Sequence, residues 1–393
     1  MTSNTKSAER REAAKKWCLR MLKKDGVQTL LASLACIILG LLIGFIFLLI
    51  INPAGAWDGI TTVIKGFFNG LRPPKRMKEL GNTLVYAAPM ALCALSILFC
   101  YKVGLFNIGA AGQYVVGAGM ALYAAIGWGL PWPICTLLAM LGGAAVAAVS
   151  GVLKAYCNVN EVISGIMLNW ISLYSINALM IKIKTPSTSE TYTLMQKNPS
   201  ALLPKLGLGK LFNDNEYVSI GIFLAVFAAV AVWVIMEKTK FGYELKATGF
   251  NKHAARYAGM QEKTNIVLSL AIGGALAGLG AATLFLSGIS NWETTQTSVP
   301  AMGFNGIAAA FLGGLNPFGV LLSAFFLQHI TYGGSLVDKT MYCAQISDFI
   351  AAIIIYLCGF VLFFKLLLSR LVAKKEDREK KVRSASSETT EDA

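Results

Sequence analysis

Long stretches without charge constrain this chain more than any other feature. Val27 to Ile51 and Val218 to Met236 carry no charged side chain, and Ile346 to Phe364 carries only Asp348. Each is about as long as an α-helix must be to cross ~30 Å of hydrocarbon. In lipid, such a segment satisfies its own backbone only as a helix. With 55% of its 393 residues hydrophobic and only 14% charged, the chain has too little polar surface to cover itself in water. The expected fold is therefore all-α: a polytopic membrane protein.

About ten crossings are expected: Val27 to Ile51, Leu80 to Tyr101, Gln113 to Trp128, Trp132 to Leu153, Val162 to Ile181, Val218 to Met236, Thr264 to Leu286, Phe304 to Leu315, Gly319 to Thr331 and Ile346 to Leu368. This divides the chain into a basic N-terminal arm (1–26), a transmembrane domain (27–368) with one long polar loop (237–263), and a charged tail (369–393) read as disordered. An even count puts both tails on one side. If that side is cytoplasmic, it holds 24 of the 35 Lys and Arg residues, the bias expected of a membrane protein with both termini inside. The outer loop from Lys65 to Lys78 runs against that bias. Basic tails beside anionic lipid account for the net charge of +14 without nucleic acid as a partner. The eight cysteines form no CxxC pair and the two histidines lie far apart, so neither a disulfide framework nor a metal site is expected.

The polar loop contains an island, Phe241 to Met260, between two oily segments. Asn251 is a good N-cap, Lys252 to Ala258 a plausible short helix, and Gly259 a natural stop. Lys252, His253 and Arg256 make one edge basic, while Ala254, Ala255 and Ala258 keep another small. Such a helix suits a groove on a soluble partner, or the lipid headgroups.

A faint internal repeat links Gly104 to Gly112 (GLFNIGAAG) with Gly303 to Ala310 (GFNGIAAA), each beside a short, glycine-rich span. The crossing count makes the halves inverted, with short discontinuous helices at matching positions. That is a build used by transporters, although the glycines equally suit close helix packing. Polar groups inside spans are costly unless they meet a polar cavity, so Asn107, Gln113, Glu161, Asn169, Asn305, His329 and Asp348 are candidates for a solute path. Phe106, Trp170, Trp292 and Phe304 are candidates for stacking on a flat base. No G-x-x-x-x-G-K-[ST] loop occurs, so any ATP is held by another subunit.

The runs GLFNIGAAGQ (Gly104 to Gln113) and NEVISGIMLNWI (Asn160 to Ile171), together with the polar island, resemble the membrane permease subunits of bacterial ABC importers. The similarity spans about Leu80 to Leu368. It is nearest the nucleoside and simple-sugar branch, within the group shared with ribose and branched-chain amino-acid permeases. The resemblance implies that the island is a coupling helix fitting a cleft on a cytoplasmic ATP-binding subunit, with matches at Gly242, Gly249, Asn251, Ala254, Ala255, Tyr257 and Gly259. Lys252 and Arg256 are added to that site for their charge. It further implies a second permease subunit, a different chain in the nucleoside branch, and an extracellular substrate-binding lipoprotein. ATP and magnesium would sit on the partner, with no cofactor on this chain.

Three function classes stand at this point: an ABC permease for nucleosides, sugars or branched-chain amino acids; an ion-coupled secondary transporter; and a membrane enzyme or scaffold. His329 and Asp348 are the only proton-relay material for the second. The third lacks paired carboxylates, a metal cluster, or a nucleophile with its base.

Overall fold

The structure, a computed structural model, describes residues 25–68, 72–338, 340–342, 346–371 and 374. Nearly all of the N-terminal arm and of the C-terminal tail lie outside the described residues. The chain forms helices α1 (Asp25–Ile51), α2 (Ala56–Lys65), α3 (Pro73–Lys102), α4 (Ala110–Leu122), α5 (Trp132–Cys157), α6 (Glu161–Met180), α7 (Gly221–Lys238), α8 (Lys240–Phe250), α9 (Lys252–Tyr257), α10 (Glu262–Phe285), α11 (Ala301–Leu312), α12 (Pro317–Ser335) and α13 (Ile346–Cys358). Single helical turns punctuate the loops. No strand occurs among the described residues, only two isolated bridges.

Among the described residues, seven helices are long and apolar enough to cross a membrane: α1, α3, α4 with its π-helical extension to Gly127, α5, α6, α7 and α10. The chain is a multi-pass membrane protein. The expected ten crossings are not ten full-length apolar helices, and the three that differ lie in the second half. With 12 residues, α11 is short; α12 has 19 but includes Gln328 and His329; and α13 stops at Cys358, with helix resuming over 361–371.

Two differences concern the stretch read as an outer loop. Pro73 starts α3 a full two turns before Leu80, because proline is well suited to the first turn of a helix; Lys75, Arg76 and Lys78 thus belong to a helix. Ahead of it, α2 was not anticipated. It buries Ala56, Gly59, Ile60 and Val63 against α1 and α12, a stripe too short to register as a crossing.

At the centre, α3 and α10 run antiparallel. Near one end the Cys100 thiol donates to the Ser269 carbonyl at 3.4 Å; near the other, Gly280 lies against Pro89. These are the helices preceding the two motif copies, so the two halves are inverted relative to each other. Their packing is crossed as well: α10 rests on α4 and α5, and α3 rests on α11 and α12. Four of the cysteines, Cys36, Cys93, Cys100 and Cys135, are buried and serve as small packing residues.

Candidate functional site

The island forms two helices rather than one. Thr239 caps α8 by accepting from the Gly242 N–H at 3.0 Å. Asn251 then caps α9, its Oδ1 accepting from the N–H groups of His253 and Ala254 at 3.0 and 3.1 Å. Gly259 ends the segment at φ +80°, a conformation that favours glycine. The cap and stop expected from sequence are thus in place, and the helix ends one residue earlier than expected, at Tyr257.

Within the island, Ala255 is buried while Asn251, Lys252, Ala254, Arg256 and Gly259 are exposed. Tyr257 is 94% exposed and Phe250 is 91% exposed. Phe250 was missed by sequence reasoning, since an aromatic at the end of an amphipathic helix reads as a core residue. The island is also bound to the bundle. Gly242 lies against the backbone of Ile235 and Met236, and Gly249 against the backbone of Val103 and Gly104, leaving no room for a side chain at either position. Asn265 on α10 donates to the Thr248 hydroxyl at 3.0 Å. On α7, Glu237 accepts from Lys102 at 3.2 Å and from Lys246 at 3.0 Å. The island therefore touches α3, α7 and α10, and rests on the first residues of the first motif copy.

Beyond Gly104 the chain re-enters the bundle, and its polar groups are paired with one another. Asn107 Nδ2 donates to Gln113 Oε1, and Gln113 Nε2 donates back to Asn107 Oδ1, both at 2.9 Å. The Asn107 amide also reaches the Ser96 hydroxyl at 3.1 Å. Across on α6, Asn169 accepts from the Gly112 N–H at 2.7 Å and donates to the Ile108 carbonyl at 3.1 Å. Three of the path candidates, Asn107, Gln113 and Asn169, thus form one buried clamp around the break between α3 and α4. The second copy meets the first where Gly303 abuts Ala111 at the start of α4. At that crossing the glycine serves close packing. Asn305 is half-buried and Phe304 exposed on the same helix.

The remaining candidates are dispersed. Phe106 is half-buried beside Asn107. Glu161 pairs with Lys154 at 2.7 Å, at the island end of α6. At the far end, His329 Nε2 meets the Ile64 carbonyl at 3.0 Å and its ring packs on Phe67. Trp292 is fully buried, its indole N–H donated to Asn177 Oδ1 at 3.0 Å; it ties the loop between α10 and α11 to α6 and is neither a stacking surface nor an interfacial anchor. Trp170 is exposed and stacks on Tyr174. Asp348 falls in the first turn of α13, and its side chain lies outside the described residues.

Comparison with known proteins adds to this geometry. Residues 80–359 match the family described as the branched-chain amino acid transport system / permease component. The chain belongs to this permease family. Among its relatives is the guanosine ABC transporter permease protein NupP of Bacillus subtilis, 32% identical over 352 residues that cover 88% of this chain and 97% of that one. The nucleoside ABC transporter permease protein NupB of Lactococcus lactis is 30% identical over 357 residues, 88% of this chain and 94% of its own length. A second guanosine ABC transporter permease protein of B. subtilis, NupQ, is 29% identical over 269 residues, 65% of this chain and 82% of its own. No solved structure matches the chain.

Proposed function

We propose that this chain is one of two permease subunits in an ATP-driven importer for nucleosides, with α8 and α9 as the element through which a separate ATP-binding subunit moves it. The observation that carries this is the island: two capped helices whose outer side presents Phe250, Lys252, Arg256 and Tyr257, while Gly249 on the inner side rests on the backbone at Val103 and Gly104. Exposed aromatic and Arg side chains are the usual anchors of a protein interface, and the Gly249 contact offers a mechanical link from that interface to the first motif copy.

In this proposal the island end faces the cytoplasm of a bacterial cell, both tails lie on that side, and ATP and magnesium stay on the partner. A substrate-binding lipoprotein would deliver cargo to the far end. The nucleoside assignment follows the names of the relatives with the most complete overlap, and the pairing of NupP with NupQ favours a second permease of different sequence. Transport is vectorial: ATP binding favours one arrangement of a two-state bundle, and hydrolysis releases it.

The test is to purify the assembly carrying Arg256→Glu or a deletion of residues 251–259. The variants should insert in the membrane but fail to retain the ATP-binding subunit. Normal assembly and transport by both would overturn the coupling role.

A further inference from the structure

Halfway along α6, two aromatic rings with polar tips face outward. Trp170 is the tenth residue of this 20-residue helix, so at 1.5 Å per residue it lies about 14 Å from one end and about 15 Å from the other. Tyr174 follows one turn later. Trp170 is 44% exposed and Tyr174 58%, and their rings stack with centroids 6.2 Å apart and planes 23° from parallel. Neither the indole N–H nor the hydroxyl meets another described residue. The opposite face of α6, with Gly165, Asn169 and Ile176, is sealed against α4.

Trp and Tyr that meet lipid gather at the two interfaces, where their polar tips reach water. At mid-depth in hydrocarbon those donors would be unsatisfied, at a cost. The outward faces of α5 and α7 obey this rule. On α5 the exposed large residues between the ends are Leu137, Leu141, Val149 and Val152, and on α7 they are Phe223, Val226, Phe227, Val230 and Val234, none with a polar side-chain atom. The centre of α6 departs from it, so its neighbour is something other than lipid.

We infer that the Trp170–Tyr174 face is one wall of the solute route, on which the flat heteroaromatic base of the cargo stacks, with the opposite wall supplied by the second permease. This rests on the nucleoside importer proposed above and names the part of the cargo that this chain recognises. An offset, near-parallel pair makes one continuous platform, and every base has a π face that stacks on it. The indole N–H and the phenol are free to donate to base or ribose oxygens. A sugar without a base gains nothing from the platform. Trp170 is also next to Asn169, the residue that clamps Gly112 and Ile108, so the platform is fixed to the break between α3 and α4.

The test uses the complete assembly in proteoliposomes, with guanosine and uridine as transported probes and ribose as the competitor lacking a base. Trp170→Ala and Tyr174→Ala should each raise the KM for both nucleosides roughly tenfold, while the second permease still co-purifies. Trp170→Phe should retain most of the affinity, and ribose should not compete. Unchanged kinetics in both alanine variants would overturn the inference, as expected of a face that meets lipid. Loss of the second permease would also overturn it, making the pair a subunit contact. Absence of nucleoside uptake by the wild-type assembly would instead overturn the nucleoside assignment, and this inference with it.

Discussion

Asn169 shows how much a single amide holds in this fold. Its side chain serves a buried N–H at Gly112 and a carbonyl at Ile108, two groups that the broken helix leaves without backbone partners. Asn169→Ala orphans both, and a buried polar group left unpaired costs about 1–3 kcal/mol. The variant should unfold several degrees lower than wild type in detergent, and an unchanged midpoint would contradict the clamp. Asn169 was singled out from sequence as a polar residue in a span, but its partner was not legible: Gly112 lies 57 positions away. Asn251 is the opposite case. Its cap and the Gly259 stop depend on neighbours within a few residues, so the pattern was readable directly. Phe250 was not, because exposure is decided by where a helix docks rather than by its composition. With 91% of its surface free, Phe250→Ala should leave the bundle intact and weaken capture of the ATP-binding subunit at least tenfold in a pull-down titration, the loss expected of an interface anchor.

Among the elements, the island and the re-entrant loop after α3 act on each other through backbone. Gly249 fits against Val103 and Gly104 only because it lacks a side chain, and from there the chain leads through Ile108 to Asn169 on α6. Gly249→Leu would force α8 away from that loop. ATP hydrolysis should continue in the assembly while nucleoside uptake falls at least tenfold; equal uptake would sever the proposed link. The same scale shows where sequence patterning ran short. Long apolar runs such as α1 and α7 were legible because hydropathy alone marks them. The amphipathic α2 was not, since it depends on neighbouring helices to cover it, and α11, read as Phe304 to Leu315, runs three residues earlier, from Ala301 to Leu312. The repeated motif was read correctly as a sign of inverted halves. Where the copies meet, at Gly303 and Ala111, the glycine serves close packing, one of the two roles the sequence left open.

For the whole molecule, the inverted halves and the gathering of Lys102, Lys154 and the island at one end give a bundle with two distinct faces. The exposed Cys157 lies at the end of α5 beside Lys154, on the face assigned to the cytoplasm. In a background without other cysteines, a membrane-impermeant maleimide should modify Cys157 in inside-out vesicles and leave it untouched in intact cells. Labelling from outside would reverse the orientation. In the proposed importer this bundle works under another subunit's ATP cycle. The most direct measurement is uptake of radiolabelled guanosine by proteoliposomes holding both permeases, the ATP-binding subunit and the binding protein. Saturable uptake that requires hydrolysable ATP, and that is competed by other nucleosides but not by ribose or leucine, is predicted. Uptake driven by a proton or sodium gradient without ATP would contradict it.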